Sequence, residues 1–561
     1  MNLNPTLYHD ERKLNTLAAL FLFVLTATLL FLSLTPNSMW GDDFAAYISE
    51  GIAIAEGRFD EQVRLNYIMH TASLPEEATD GRLVYVWGYP LLHALTYLLV
   101  GFDTVGFSSL IYYKISGVLA AALLAVVMFF FLRRRFGRGI SFTLSLIFCV
   151  CYELRECINF VLSEPLFLFC AMLSLLLVEL FLEAGASRRR TAYGVLLGAV
   201  LWYTYEVRLN GVSILFACAA ACVILIISRR EYKRPRALLI YLLPFAVFLV
   251  LKLASESVLS AATGNTSDVG GISVQRIMQN AVYYAYVARE WMRVIWIEVF
   301  VKLVRVILFS YTSVEGGIYG DIWGASLNIA QWCARLTYIV CLVGIVFDGF
   351  RRENLHLFLF AVVYFLVLIL LPYEQGMRYL IPVMLILPMY FAYGFRRILS
   401  LLPRKWRDAR AYVIVGGVAA VLACTLVSVT VAREGISARN SYDSASPQSM
   451  SAAGDECIYT PASVEVFRYI SANTPEDSVI AFIKPRALYL NTRRVAFRPD
   501  VNGHEIADAD YYLVGNAFAP NPAPPDNFEP CFENSGFVLY KKRLHVNSWG
   551  RGKIERNKTQ R

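Results

Sequence analysis

The sequence predicts a polytopic α-helical membrane protein, and three observations lead to that fold class. Of its 561 residues, 57% are hydrophobic and only 17% are charged, and the mean hydropathy is +0.49. Soluble proteins carry about 25% charged and about 45–50% apolar residues, so both a water-soluble globule and a disordered chain are excluded. Long apolar runs recur along the chain, and clusters of Lys and Arg follow every second run. A polar stretch after residue 432 predicts one small soluble domain in addition.

Eleven apolar runs are the candidate membrane spans. A helix needs about 20 mostly apolar residues to cross a bilayer, and the first run is longer than a signal-peptide core and lacks a clean cleavage site, which indicates a retained anchor. Two runs are short, which is typical of broken or tilted helices. The runs cover residues 15–34, 108–132, 139–152, 163–183, 192–206, 211–228, 237–254, 326–347, 355–372, 379–395 and 411–432.

The basic clusters predict the orientation of these spans. Arg133–Arg135 follow the second run and Arg188–Arg190 follow the fourth, and similar clusters follow the sixth, eighth and tenth. All lie on one side if the N-terminus is cytoplasmic, as the positive-inside rule requires. The same rule explains the net charge of +8 without a nucleic-acid partner. We therefore expect a transmembrane domain over residues 1–432, with residues 433–561 on the external side.

The segment 291–311 is apolar but is not counted as a span. Glu298, Lys302 and Arg305 recur on one helical face, which is typical of a helix lying in the membrane interface. Counting it as a span would place the basic pair after the eighth run outside. With this segment external, the transmembrane domain has two large external loops, 35–107 and 255–325.

Residues 433–561 predict a small external α/β domain. Val464, Phe467 and Ile470 have helical spacing, and nothing in the domain resembles a catalytic constellation. The Pro-rich stretch 520–530 predicts a loop, and the basic C-terminal residues predict a disordered tail. Strands are expected at 479–482, 495–497, 511–514 and 537–540, and a second helix at 487–490.

The eleven cysteines do not predict a structural metal site. Most lie inside apolar runs, where a free cysteine behaves as a small hydrophobe, and none has the spacing of a zinc ligand set. Cys457 and Cys531 stand apart in the C-terminal region. They could form a disulfide if that region faces an oxidising compartment, and the sequence leaves this open.

The strongest chemical signal follows the first span, where Asp42 and Asp43 come after Trp40 and Gly41. Apolar residues then recur at three- and four-residue steps, with Tyr47 among them, and this predicts an amphipathic helix on the membrane surface. Asp is a favoured N-cap residue, and capping alone could explain one of the acids. Two adjacent acids exceed what a cap needs, so on residue chemistry alone structure and function are equally good explanations.

Two further motifs lie near external span ends. Trp87-Gly88-Tyr89-Pro90 predicts a turn before an apolar helix, for which a structural role is favoured. Ser163-Glu164-Pro165 opens the fourth span. Ser163 can cap the helix, Glu164 suits its first turn and Pro165 suits its start, so structure and function are equally good explanations there.

Three arginines lie on the external side, against the charge rule: Arg155, Arg208 and Arg378. Arginine is costly near hydrocarbon and is usually paired or functional there. An anionic group such as a phosphate is a natural partner. Glu206 and Glu374 are the alternative partners within the chain.

The order and placement of these motifs resemble the GT-C glycosyltransferases over nearly the whole chain. The bacterial branch similar to protein mannosyltransferases and lipid A aminoarabinose transferase is the most similar. The resemblance rests on the acids before Tyr47, the Tyr89-Pro90-Leu91 turn, the Ser-Glu-Pro-Leu-Phe run from Ser163, and the late Arg378-Tyr379 pair. The acidic pair lies one residue earlier than the Asp-Glu of many relatives, and Gly88-Tyr89-Pro90 stands where some have a lysine.

The resemblance implies a bacterial inner-membrane enzyme that transfers a sugar, with inversion, from a polyprenyl-phosphate donor to a lipid, a lipid-linked glycan or a protein on the periplasmic or extracellular face. Carried onto this chain, Asp43 would be the main catalytic carboxylate, supported by Asp42 and Glu164. Arg378 and Arg208 would bind the donor phosphate, since a leaving phosphate needs positive charge. Tyr47 and Tyr89 would lie on the substrate loop.

Two alternatives of other classes remain open at this point. A transporter or flippase of lipid-linked saccharides would also have many spans and external arginines, but it would not need paired external acids or an external domain. A non-catalytic relative would keep the acids for structure alone. A divalent metal is possible at the acid pair, but the sequence contains no full ligand set.

Overall fold

The computed structural model describes residues 5–35, 38, 40, 42–71, 86–103, 109–184, 188–228, 235–259, 335–349, 351, 354–369, 377–401, 458–499, 504–518 and 521–543. The helices before residue 260 are numbered in chain order. They are α1 (Pro5–Leu32), α2 (Asp42–Ala55), α3 (Phe59–Thr71), α4 (Gly88–Val100), α5 (Leu110–Arg133), α6 (Arg138–Cys149), α7 (Tyr152–Asn159), α8 (Glu164–Glu183), α9 (Arg188–Val207), α10 (Val212–Ser228) and α11 (Pro235–Leu259).

Three further apolar segments are helical. Residues 335–344 form a helix that ends in the π-turn Ile345–Gly349, and Leu355–Ile369 forms the next helix. The tenth apolar run is broken into Met377–Leu380, Ile381–Met384 and Leu387–Ser400. Pro382 and Pro388 lie in the first turns of the last two pieces, where proline is tolerated because those N–H groups have no helical partner.

The polytopic α-helical class is confirmed. Ten of the eleven predicted runs are helical in most or all of their described residues, and the last, 411–432, lies outside the described residues. Within the described residues, five helices are long and apolar enough to cross a membrane. The total of eleven spans stays a prediction. The predicted interface segment 291–311, Cys457 and the basic tail after residue 543 also lie outside the described residues.

The membrane bundle is built around α5 and α8. In their most apolar windows, 67% of residues in α5 and 72% in α8 are buried, against 28% in α1 and 17% in α11. The two central helices therefore bury most of their apolar residues, although α5 leaves Leu119, Leu123 and Phe130 exposed. In contrast, α1 and α11 leave many large apolar side chains exposed, as lipid-facing helices do. A buried carboxylate lies near each end of α8, Glu164 at its start and Glu179 near its end.

The helix α2 after the first span is confirmed, but both of its faces are covered. One face packs on α4, with which it makes a close crossing at Gly51, where an added Cβ would lie 2.8 Å from the carbonyl oxygen of Pro90. The other face contacts α3 and the C-terminal helix Pro485–Thr492. Because both faces are buried, α2 connects the membrane bundle to the C-terminal domain.

The C-terminal domain contains one five-stranded sheet. Its strands are β1 (Val479–Ala481), β2 (Val495–Phe497), β3 (Tyr511–Gly515), β4 (Phe528–Glu533) and β5 (Phe537–Lys542), in the order β2-β1-β3-β5-β4. β1 pairs in parallel with β2 and β3, and β5 is antiparallel to β3 and β4. The helices are Pro461–Asn473 and Pro485–Thr492.

The predicted α/β pattern of this domain is confirmed with one correction. The two helices and four strands form where they were expected. The predicted loop 520–530 is too long, because its last residues, Phe528–Pro530, belong to β4. Pro530 lacks a backbone donor and therefore suggested a loop. β4 lies at the edge of the sheet and pairs only with β5, and such a position tolerates proline.

A charged cluster closes the bundle at the end of α8 opposite Glu164. Glu179 accepts hydrogen bonds from Arg134 at 2.9 Å and from Arg135, and its Oε1 lies 3.2 Å from His356 Nε2. A cavity of about 350 Å³ is lined by this cluster. Since its arginines are paired with Glu179 and Glu183, we assign the cluster a structural role in joining α5, α8 and helix Leu355–Ile369.

Candidate functional site

A buried ion pair joins two residues that the sequence analysis assigned to different roles. Arg208 Nη1 lies 2.5 Å from Glu164 Oε1, and the side chains are only 12% and 2% exposed. Glu164 is the first residue of α8, while Arg208 follows the end of α9 with an extended backbone, φ −153° and ψ 135°. The extended conformation ends α9 and turns the guanidinium toward α8. Burial makes this ion pair important, because either charge would be costly to leave unpaired out of water.

Ser163 links this pair to α2. It occupies the N-cap position of α8, as expected, but its side chain makes no capping hydrogen bond. Its Oγ instead lies 3.1 Å from the hydroxyl of Tyr47 and accepts a hydrogen bond from Arg208 Nη1 at 3.4 Å. Capping therefore does not account for Ser163, and the hydroxyl serves the polar site.

Three charged side chains of the described residues act electrostatically on Tyr47. Burial raises the pKa of its hydroxyl above the ordinary range, the negative charges of Glu164 and Asp43 raise that pKa further, and Arg208 opposes the rise. Asp43 lies in the first turn of α2, one turn before Tyr47, and is partly buried. Asp43, Glu164 and Arg208, expected to meet from the sequence, are thus close enough to act electrostatically on one phenol.

Tyr89 supports Tyr47 from α4. The two rings meet edge to face, with centroids 4.9 Å apart and an interplanar angle of 83°. Tyr89 is buried and also packs against His93. Both tyrosines predicted for the substrate loop therefore lie on helices, and Tyr89 contacts Tyr47 from the protein interior.

The alternative partner suggested for Arg208 is wrong. Glu206 is buried and pairs with Lys252, whose Nζ lies 2.9 Å from its Oε1, and Ser255 Oγ lies 3.5 Å from the same oxygen. The geometry explains the choice: α9 ends at Val207, so Glu206 and Arg208 leave the backbone in different conformations. Lys252 carried only a weak sequence signal, a lysine near the end of an apolar run.

Tyr379, the second residue of the Arg378-Tyr379 pair, contacts Arg208 of the candidate site. Its ring centroid lies 4.7 Å from Arg208 Cζ, a cation–π distance. Tyr379 belongs to the 3₁₀ turn Met377–Leu380, which also contains Arg378. The side chains of Arg378 and Asp42, and the whole of Glu374, lie outside the described residues. The third external arginine, Arg155, is buried on α7.

Sequence reasoning missed the residues that fasten the end of α1 beside the site. Lys114 Nζ donates to the carbonyl oxygen of Thr35 at 2.5 Å, and the amide of Thr35 donates to Asn159 Oδ1 at 2.9 Å. Asn159 Nδ2 donates to the carbonyl oxygen of Ser33. A lysine in an otherwise apolar span was the available signal. These contacts hold the chain that leads from α1 toward the two aspartates.

The described side chains include histidines, cysteines and carboxylates, which are common metal ligands. Among them, no three His, Cys, Asp or Glu groups converge closely enough to hold a metal ion. Asp43 and Glu164 are the carboxylates nearest to the site described above, and Glu164 is engaged with Arg208.

Comparison with solved structures confirms the GT-C fold. ArnT from Cupriavidus metallidurans, in the structure bound to undecaprenyl phosphate, superposes with a TM-score of 0.52 at 12% identity, covering 93% of this chain and 97% of that one. Its apo structure gives 0.51 at 11% identity with the same coverage. The Archaeoglobus fulgidus oligosaccharyltransferase gives 0.49 at 12% identity, covering 89% of this chain and 68% of that one. No family model and no curated protein matches the sequence.

Proposed function

We propose that this protein is a membrane glycosyltransferase that transfers a sugar from a polyprenyl-phosphate donor to an acceptor on the external face. The observation that carries the proposal is the buried Arg208–Glu164 pair beside Asp43 and Tyr47. It supplies a cation and two carboxylates in one place, at the end of the apolar bundle. The ArnT structure that shares the fold is bound to undecaprenyl phosphate, which supports a lipid-phosphate donor here.

The proposed reaction is a single displacement that inverts the anomeric centre. The acceptor hydroxyl oxygen forms a bond to the anomeric carbon while the bond from that carbon to the phosphate oxygen breaks. The electron pair of the broken bond leaves with the polyprenyl phosphate, and the hydroxyl proton goes to the carboxylate of Asp43. Proton acceptance by a positioned carboxylate contributes about 10²- to 10⁴-fold to such reactions.

Arg208 and Arg378 are assigned to the leaving phosphate. A guanidinium can donate two parallel hydrogen bonds to phosphate oxygens, and positive charge there stabilises the group as the bond to the sugar breaks. What supports Arg208 is its burial against Tyr379 and Ser163. Arg378 is next to Tyr379 in the chain, so the same turn would bring it to the phosphate.

Glu164 then has a different role from the one its acidity first suggested. Its carboxylate is already paired with the Arg208 guanidinium at 2.5 Å. We assign it to positioning Arg208 and to neutralising that charge before the donor arrives. Asp43, which is partly exposed, is better placed to receive a proton from an acceptor.

Transfer by the purified full chain tests the proposal. The protein is incubated in detergent with radiolabelled polyprenyl-phosphate sugars and with lipid, lipid-linked glycan or peptide acceptors. The expected result is label moving to one acceptor with release of polyprenyl phosphate. Movement of intact labelled donor across a vesicle membrane without transfer would support a flippase instead, and binding without either would indicate a non-catalytic relative.

The variant Asp43→Asn separates catalysis from binding. It keeps the side-chain shape and removes the proton acceptor, so we expect transfer to fall by at least about 10²-fold while donor binding remains. Glu183→Gln is the control, since it removes an exposed carboxylate at the opposite end of α8. Near-normal turnover in Asp43→Asn would contradict the assignment and make Asp42 the next candidate.

A further inference from the structure

Trp40 stands two residues before α2 and is held by the C-terminal domain. Its side chain is 8% exposed. Four phenylalanines of that domain surround it, and together they form what we call the aromatic socket. Their ring centroids lie 5.1–6.0 Å from the Trp40 ring: Phe467, Phe482, Phe518 and Phe537.

The socket is drawn from separate parts of the C-terminal domain. Phe467 lies on the helix Pro461–Asn473, Phe482 follows β1, Phe518 follows β3 and Phe537 begins β5. Edge-to-face contacts at these centroid distances are favourable and directional. The domain must therefore be folded before the socket exists, and a folded domain fixes the position of the Trp40 ring.

A backbone hydrogen bond reinforces this anchor. The amide of Ile458 donates to the carbonyl oxygen of Ser38 at 2.8 Å. Phe44 and Ile48 of α2 also belong to the same hydrophobic core as the socket. The first turn of α2 is thus held from the side of the C-terminal domain, both before the helix starts and along its buried face.

We propose that the C-terminal domain positions the aspartates of the site through Trp40. A residue spans at most about 3.3–3.6 Å of chain, so an anchor at Trp40 restricts how far Asp42 and Asp43 can move. Trp40 is a positioning residue that acts on Asp43 through the backbone. This inference rests on the proposed function only where catalysis is measured, because the restriction itself is structural.

Amide hydrogen exchange on the full chain tests the anchor independently of activity. In Trp40→Ala we expect exchange at residues 42–47 to accelerate by at least about tenfold, because the restraint on local opening is removed. Exchange in β1, Val479–Ala481, should stay unchanged. Trp40→Phe keeps an aromatic ring in the socket and should restore most of the protection.

Phe528→Ala is the matched control. Phe528 is a buried aromatic residue of the same domain, but it belongs to a different hydrophobic cluster from the socket. It should loosen the sheet without a selective effect on residues 42–47. Unchanged exchange at 42–47 in Trp40→Ala would overturn the proposal. An equal rise in β1 and at 42–47 would overturn it too, since Trp40 would then stabilise only the domain.

Kinetics add a second measurement once transfer has been established. Trp40→Ala should lower kcat by at least about tenfold, because even a modest misplacement of a reacting group slows the chemical step. The KM for the donor should stay within about twofold of the wild-type value. Trp40→Phe should recover most of kcat. If the wild type shows no transfer but the exchange pattern holds, the proposed function fails and the positioning role of Trp40 stands.

Discussion

At the scale of single residues, the candidate site depends on the pairing of two buried, opposite charges. Glu164 and Arg208 are both removed from water, and an isolated charge in such a place is strongly destabilising. Removing one partner of a buried pair costs about 3–5 kcal/mol because the other charge stays buried and unpaired. A phosphate at this site would offer Arg208 a second anionic partner.

Glu164→Gln is expected to lower the Tm and to make the protein more responsive to the donor lipid. Glutamine keeps the shape but leaves the Arg208 charge without its carboxylate. Added polyprenyl phosphate would supply the missing negative charge, so its stabilising Tm shift should be larger in the variant than in the wild type. Thermal unfolding with and without polyprenyl phosphate measures this.

Glu183→Gln should show the wild-type response, since that carboxylate is mostly exposed and remote from the site. Glu164→Asp is a second check, because a shorter carboxylate restores the charge but not the 2.5 Å contact. An equal Tm shift in wild type and Glu164→Gln would mean that Arg208 does not contact the phosphate, and would return the pair to a structural role.

Arg378→Lys distinguishes a phosphate contact from an ordinary ion pair. Lysine keeps the positive charge but loses the planar arrangement of donors. If Arg378 binds the donor phosphate, turnover should fall by about tenfold or more while protein level stays normal, since a bond made to the leaving group is weakened. Donor affinity and turnover of the purified variant measure the effect.

A surface ion pair is worth about 1 kcal/mol or less. If Arg378 only pairs with a neighbouring carboxylate, the substitution should leave both donor affinity and turnover almost unchanged. That outcome would assign Arg378 to structure and leave Arg208 as the phosphate contact.

At the scale of helices, glycines set the distances between the elements that carry the site. Gly88 begins α4, and an added Cβ there would overlap the carbonyl oxygen of Glu206. The start of α4 therefore packs directly on the end of α9, two residues before Arg208. Tyr203 strengthens the contact by donating from its hydroxyl to the carbonyl oxygen of Gly88 at 3.0 Å.

Gly88→Ala should disturb the site through this contact. The methyl group would meet backbone that cannot rotate away, so α4 or the end of α9 must shift, and overpacking of this kind costs about 1–3 kcal/mol. We expect a lower Tm and weaker donor binding. Thermal unfolding and donor titration measure both quantities.

Gly139→Ala is the control for that substitution. Gly139 lies in the first turn of α6, and an added Cβ there meets no atom within 4 Å. Alanine is the better helix former by about 0.5–1 kcal/mol, so this variant should be neutral or slightly stabilising. If the Gly88→Ala protein is as stable and as active as the Gly139→Ala protein, the close contact between α4 and α9 is not needed for stability or for the site.

At the scale of the whole molecule, the orientation of the bundle remains a prediction from charge. Basic clusters after every second apolar run place the N-terminus in the cytoplasm and residues 433–561 outside. A reporter fused after residue 440 should therefore lie on the external side, and a reporter inserted between Glu183 and Arg188, before α9 begins, should lie on the cytoplasmic side. A cytoplasmic reporter after residue 440 would mean that an additional segment, 291–311, crosses the membrane.

The sequence by itself determined the class of the protein and most of its elements. Apolar runs with basic loops predict a polytopic bundle because a bilayer imposes span length and charge bias on each segment locally. Short apolar segments predicted the C-terminal sheet, except where Pro530 suggested a loop in place of an edge strand. Asp43, Tyr47 and Glu164 became candidates through the order of motifs that resembles the GT-C glycosyltransferases, because helix capping and first-turn preferences explain such acids equally well.

Only the tertiary structure decided how those residues are used. Whether Arg208 pairs with Glu206 or Glu164 depends on where α9 ends and how α8 lies beside it. The socket around Trp40 joins residues more than 400 positions apart in the chain. Local spacing carries no information on such contacts, because packing between distant elements selects them when the bundle and the C-terminal domain come together.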